Sequence, residues 1–154
     1  MRRLTPEQGV EAARRLDSHD WSWTIQELGP ALEAFGLVPL DPLDGPSLRT
    51  DNPELPGVHG FVVNLQDEGL VLEVAVNLTD VDPAKSEESL ASFESAFMDY
   101  LVALTGAFGP PDGAESSKVV FWDRGDEVLM LRNLNICVDL ARLSKNSVRI
   151  REGG

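Results

Sequence analysis

The sequence predicts an α+β fold: two short N-terminal helices, then a largely antiparallel sheet of about six strands packed on one long central helix. Three observations carry this. Period-two apolar alternation runs through "HGFVVNL" and "LVLEVAVNL". A helical period follows over residues 83–108, and a second set of alternating segments closes the chain at 118–141. The element order is therefore α-α-β-β-β-α-β-β-β within a single domain spanning 1–154, a length that buries a core without disulfide staples.

The helices at 5–36 are read from their ends. Thr5 caps, Pro6 suits the first helical position and Gln8 completes a capping box, with Val10, Ala13 and Leu16 on one face. Asp17-Ser18-His19-Asp20 breaks this helix. A second begins at Thr24-Ile25 and is interrupted at Gly29-Pro30, because proline is a poor interior residue; Gly36 stops it. The proline-rich segment "LVPLDPLDGP" suits a short edge strand.

The first strands occupy 47–78. Phe61, Val63 and Leu65 point one way in the first hairpin arm, and Leu70, Leu72, Val74, Val76 and Leu78 line the core side of the second. Val62, Asn64, Val71, Glu73, Ala75 and Asn77 then fall on the opposite, mixed face, and Gln66-Asp67-Glu68-Gly69 makes the turn. The long helix at 83–108 is capped by Asp82 and carries Leu90, Phe93, Phe97, Leu101, Leu104 and Phe108 at 3-4 spacing. The last strands, 118–122, 127–131 and 135–141, place Val128, Met130, Ile136, Val138 and Leu140 on the core face; Glu127, Cys137 and Asp139 point away. The basic tail 142–154 has no stop signal and reads as partly frayed.

Charge is the most informative bulk property. The net charge is −13, and between residues 16 and 141 five basic residues face 23 acidic ones. Such a field repels nucleic-acid phosphates and anionic membranes, and speeds encounter with a basic protein. No apolar run is long enough to span a bilayer, and the basic N-terminus lacks the apolar core of a signal peptide, so a cytoplasmic location is expected.

The residues offer little for catalysis. His19 and His59 stand outside any motif, and Cys137 has no cysteine or histidine nearby in sequence. Asp80-Val-Asp82 lacks the glycine and closing glutamate of a calcium loop, and no glycine-rich phosphate loop occurs. No enzyme, metal or cofactor is expected. Trp21 and Trp23 read mainly as core, with an anchoring role if either is half-exposed, while Trp122 beside a hairpin is the better anchor candidate for a partner, with core packing still the favoured role for it.

The segments "WSWT", "LGPALEAFG", "VNLTD" and "VFWDRGDEVLMLRNLNICVDLA" resemble a family of small actinobacterial proteins of unknown function, over roughly residues 5 to 141. The shared features are a Trp-x-Trp start, a Phe-Gly helix end and a Thr-Asp step into the long helix. The resemblance implies an immunity protein that neutralises a cognate secreted toxin, on a scaffold similar to type III secretion chaperones. It supplies no catalytic residues.

The expected docking residues are Asp67, Glu68, Glu73, Trp122, Asp123, Asp126, Glu127 and Asp139, arranged to cover a basic toxin active site that acts on nucleic acid or nucleotide. The alternative is a chaperone or adaptor that holds an exported partner through an apolar groove. A homodimer is compatible with either role. A third reading, a small-molecule binding domain, requires a deep pocket.

Overall fold

The computed structural model describes residues 3–18, 20–39, 47–50, 59–65 and 69–145. Helix α1 (Pro6–Asp17) starts as its residues dictate. Thr5 Oγ1 accepts from the Gln8 N–H at 3.2 Å, and Gln8 Oε1 accepts from the Thr5 N–H at 2.9 Å, which closes the capping box. Helix α2 (Ile25–Phe35) is continuous through Pro30, not broken there. Proline in the second turn forfeits one backbone hydrogen bond, a loss the buried Ala31, Leu32 and Phe35 outweigh. The helix ends on Gly36, in the left-handed region at φ 75°.

The long helix, α3 (Glu87–Phe108), begins four residues later than a cap at Asp82 would place it. Ser86 is the cap, its hydroxyl accepting from the Ser89 N–H at 3.1 Å. Asp82 serves a local turn instead, accepting from the Ala84 N–H at 3.0 Å. It also accepts from the Ser89 hydroxyl, and that bond, then the one from Ala84, holds its carboxyl below the usual range.

Among the described residues, eight strands form one antiparallel sheet: β1 (Leu37–Pro39), β2 (Ser47–Thr50), β3 (His59–Leu65), β4 (Leu70–Asn77), β5 (Gly113–Ser116), β6 (Val119–Asp123), β7 (Glu127–Asn133) and β8 (Val138–Ser144). Their spatial order, β1-β2-β3-β4-β8-β7-β6-β5, is two four-stranded meanders meeting at a central β4–β8 seam. Helix α3 is the crossover from the seam to the far margin. The strands beyond the six expected, "SLRT" and "GAES", are short and polar, with no alternation long enough to register.

All three helices pack on one face of the sheet. Ala13, Leu16, Phe35, Phe93 and Leu104 meet Val74, Leu131 and Leu140 in the main core. Burying an aliphatic or aromatic side chain of this kind contributes about 1.5–3 kcal/mol before entropy is counted. Val62 and Val71 join this core, contrary to the expected alternation: Val62 because it pairs directly with the core residue Val74, and Val71 because a bulge between Val63 and Asn64 shifts the β3–β4 register beyond that point. Val128 and Met130 go the other way. They pair with Leu143 and Ala141 on the opposite face, while Leu129 and Leu131 take the core positions. A continuous apolar run such as "EVLML" hides which parity is inside.

Strand β8 continues through Arg142, Leu143 and Ser144, all buried, so these three belong to the sheet and not to a frayed tail. Residues 146–154 lie outside the described residues, as do Asp67 and Glu68.

Tyr100 ties α3 to the chain's start. Its hydroxyl donates to the Leu4 carbonyl at 2.7 Å and lies 3.1 Å from that of Leu78, and burial pushes the phenol up to about 12. Tyr100→Phe leaves the Leu4 carbonyl without this donor. It should cost about 1–2 kcal/mol, read from the urea midpoint at unchanged slope.

Cys137, in the turn before β8, is buried, and that burial first raises its thiol to about 11. At pH 8 the folded protein should resist an aromatic disulfide reagent and react once urea is added. A thiol raised above its unfolded value of about 8.5 adds stability that is full below that value and lost as pH rises through about 11.

Candidate functional site

The residues singled out from sequence separate into two groups. Glu73 and Asp139 lie on the sheet face away from the helices, as expected, but both are buried. Arg132 stands between them. Its Nε and Nη2 donate to Asp139 at 2.8 and 2.8 Å, and its Nη1 and Nη2 donate to Glu73 at 3.1 and 2.9 Å. Burial opposes the Arg132 charge, yet its bonds to Asp139 and Glu73 outweigh it and push the guanidinium pKa up. These carboxylates hold the sheet together and are not available to a partner. Trp122 is likewise only 2 % exposed, with its Nε1–H donating to the Gly109 carbonyl at 2.9 Å. It anchors the end of α3, which corrects its assignment as a docking residue.

Asp123, Asp126 and Glu127 stay together at the β6–β7 hairpin. Arg124 N–H donates to the Glu127 carbonyl at 2.8 Å, and Gly125, at φ 85°, turns the chain. Asp123 and Asp126 are exposed. The bond from the Gly125 N–H, then the Lys145 ammonium at 3.3 Å, hold the Asp123 carboxyl below its ordinary value.

Glu127 turns inward, where it meets residues far away in sequence. Its Oε1 accepts from Trp23 Nε1–H at 2.8 Å, and its Oε2 accepts from Arg142. Arg142 also donates to the Leu16 carbonyl at 2.7 Å, and its guanidinium lies 5.7 Å from the Trp23 ring and 5.5 Å from Phe35. Trp23 is buried in the left-handed conformation, φ 60°, a costly state for a bulky residue. Backbone bonds hold it: its carbonyl accepts from Val71 N–H at 2.8 Å, and Ile25 N–H donates to Gly69 at 2.9 Å. The Trp loop thus takes up β4 beyond Glu73, the last residue that β8 pairs there.

Trp21 stacks on Trp23 with ring centroids 4.7 Å apart and meets Phe35 edge-on at 6.2 Å. Unlike Trp23 it is only half-buried. The two tryptophans, the hairpin and the end of β8 enclose a cleft of about 480 Å³ with Asp20, Asp126, Arg124 and Lys145 at its rim. Arg124 is engaged by Asp17 at 3.0 Å and lies over the Phe108 ring at 5.2 Å. No spacing rule announces this union of residues 21–23, 127 and 142, because it depends on long-range pairing.

A second recess, about 550 Å³, lies before α3 among Asp80, Asp82, Ser86 and Glu88. Among the described residues no group of histidine, cysteine and carboxylate side chains is arranged to hold a metal, and no helix is long and apolar enough to cross a membrane. His19 lies outside the described residues and His59 opens β3.

Fold and cleft together define an α+β domain in which a helix-backed antiparallel sheet presents a polar, tryptophan-lined recess at one end of its strands. Residues 7–144 match a family of unknown function, DUF6301, and the chain belongs to that family. No curated protein and no solved structure matches it.

Proposed function

We propose that this protein is an immunity protein, which binds a cognate secreted toxin in the cytoplasm of an actinobacterial producer and blocks it by occupancy, without catalysis of its own. The observation that carries the reading is the pairing of a strongly acidic chain with exposed Asp20 and Asp126 at a tryptophan-lined cleft, and exposed Asp123 on the adjoining hairpin. Toxins that act on nucleic acids or nucleotides need basic clefts. An acidic, rigid surface is steered to such a cleft and competes with its anionic substrate. The sequence resemblance, to a family of unknown function thought to include immunity proteins, implies the same role.

The competing reading is a secretion chaperone. It draws on Met98 and Val102, exposed one turn apart on α3. Co-expression with a candidate cognate toxin, a secreted protein encoded beside this chain, tests the proposal. Restored growth, with a complex whose association rate falls steeply as salt rises, is the expected result. Full toxicity with no complex overturns it, and a complex insensitive to salt favours the chaperone.

A further inference from the structure

We propose that the cleft beside Trp21 is the receptor for an arginine side chain of the partner protein, an inference that rests on the binding role above and names the chemistry of its docking point. Three features of the cleft converge. The cations at its rim are committed, Arg124 to Asp17 at 3.0 Å and Lys145 to Asp123 at 3.3 Å. Glu127 is likewise committed, to Trp23 and Arg142. Asp126 is exposed, and Asp20, wholly exposed, keeps only a long ion pair to the Arg142 guanidinium at 3.9 Å, beyond hydrogen-bond reach. The rim therefore presents two carboxylates to an incoming cation.

The second feature is the aromatic platform. Trp21 is half-buried against Trp23, and this aromatic cluster already receives a guanidinium from within the protein, since Arg142 lies over Trp23 and Phe35. A planar guanidinium stacks on indole better than a hydrated ammonium does, which selects arginine over lysine.

The third is an unmet donor. Trp21 Nε1 exposes less than 1 Å² and has no hydrogen-bond partner. A buried N–H left this way is costly, and it sits two residues from the left-handed Trp23. That one uncompensated donor marks a place where a ligand repays the cost. A backbone carbonyl beside the partner's arginine supplies the acceptor once the Trp21 ring tilts.

The test uses the full chain and three capped tripeptides, Gly-Arg-Gly, Gly-Lys-Gly and Gly-Glu-Gly, with the tryptophan indole N–H resonances followed by NMR at low salt. The Trp21 indole is expected to move with the arginine peptide, less with lysine and not with glutamate. The surface double variant Asp20→Lys/Asp126→Lys is expected to weaken arginine binding at least tenfold. An unmoved Trp21 resonance, an equal response to glutamate, or unchanged affinity in the double variant overturns the inference. Toxin co-expression separates the two proposals. If the double variant still protects, the cleft is not the docking point and the immunity reading stands. If the arginine peptide binds through the cleft but no toxin is neutralised, the cleft assignment stands and the immunity reading falls.

Discussion

Arg132→Met is expected to destabilise the fold by about 3–5 kcal/mol at neutral pH, because it removes the cation from a buried ion network. Methionine fills much of the volume but has no donor, so Asp139, 0 % exposed, loses both of its bonds to Arg132. Burial already raises the Asp139 carboxyl above its usual range, against the pull of Arg132. Without the guanidinium that rise must grow. A carboxyl whose folded pKa stands above its unfolded value, about 3.9, favours folding fully below that value and loses the contribution as pH rises through the folded pKa. The deficit of the variant should therefore be largest at neutral pH and shrink in acid. Urea unfolding at both ends of that range measures it.

Two companions sharpen the result. Arg132→Lys should recover only part of the loss, since one ammonium cannot engage two carboxylates bidentately. Arg132→Met/Asp139→Asn should cost less than the sum of its single changes, with a coupling of about 1–3 kcal/mol. Strict additivity would show that the triad is not an energetic unit.

Arg142→Leu is expected to cost about 2–4 kcal/mol, somewhat less because the Glu127 side chain keeps 14 % exposure and water can solvate the abandoned carboxylate. The guanidinium joins α1 through Leu16, the hairpin through Glu127 and the aromatic cluster through Trp23 and Phe35. Losing it should also loosen the strained Trp23 loop. Thermal unfolding reads the stability, and near-ultraviolet circular dichroism of the tryptophans reads the loop. Glu127→Gln in the same background should return part of the loss by removing the unpaired charge. If the dichroism is unchanged, Arg142 does not position the loop.

Local chemistry was legible in the residues, and long-range pairing was not. The Thr5–Gln8 capping box, the Gly36 stop and the Asp123–Asp126 turn each depend on neighbours within a few positions, so residue type suffices. The α3 cap shows the boundary of that method. Asp82 and Ser86 are both good caps, and Asp82 is diverted by a turn to Ala84. Glu73 and Asp139 looked like surface acids because their partner, Arg132, lies 59 residues from Glu73 and only the sheet brings them together. The cleft failed to announce itself for the same reason. Trp23 and Glu127 are 104 residues apart, and Arg142 is 126 from Leu16. Trp21 was separable from Trp23 in exposure only once β4 had recruited the loop.

The outermost strands have a bearing on colloidal behaviour. β1 spans three residues and ends in Pro39, while β5 spans four and carries Glu115. Margins this brief, with a missing amide hydrogen on one and a carboxylate on the other, offer little template for strand-by-strand polymerisation. Concentrated solutions of the protein should consequently remain free of fibrils, even though eight strands lie in register within each molecule.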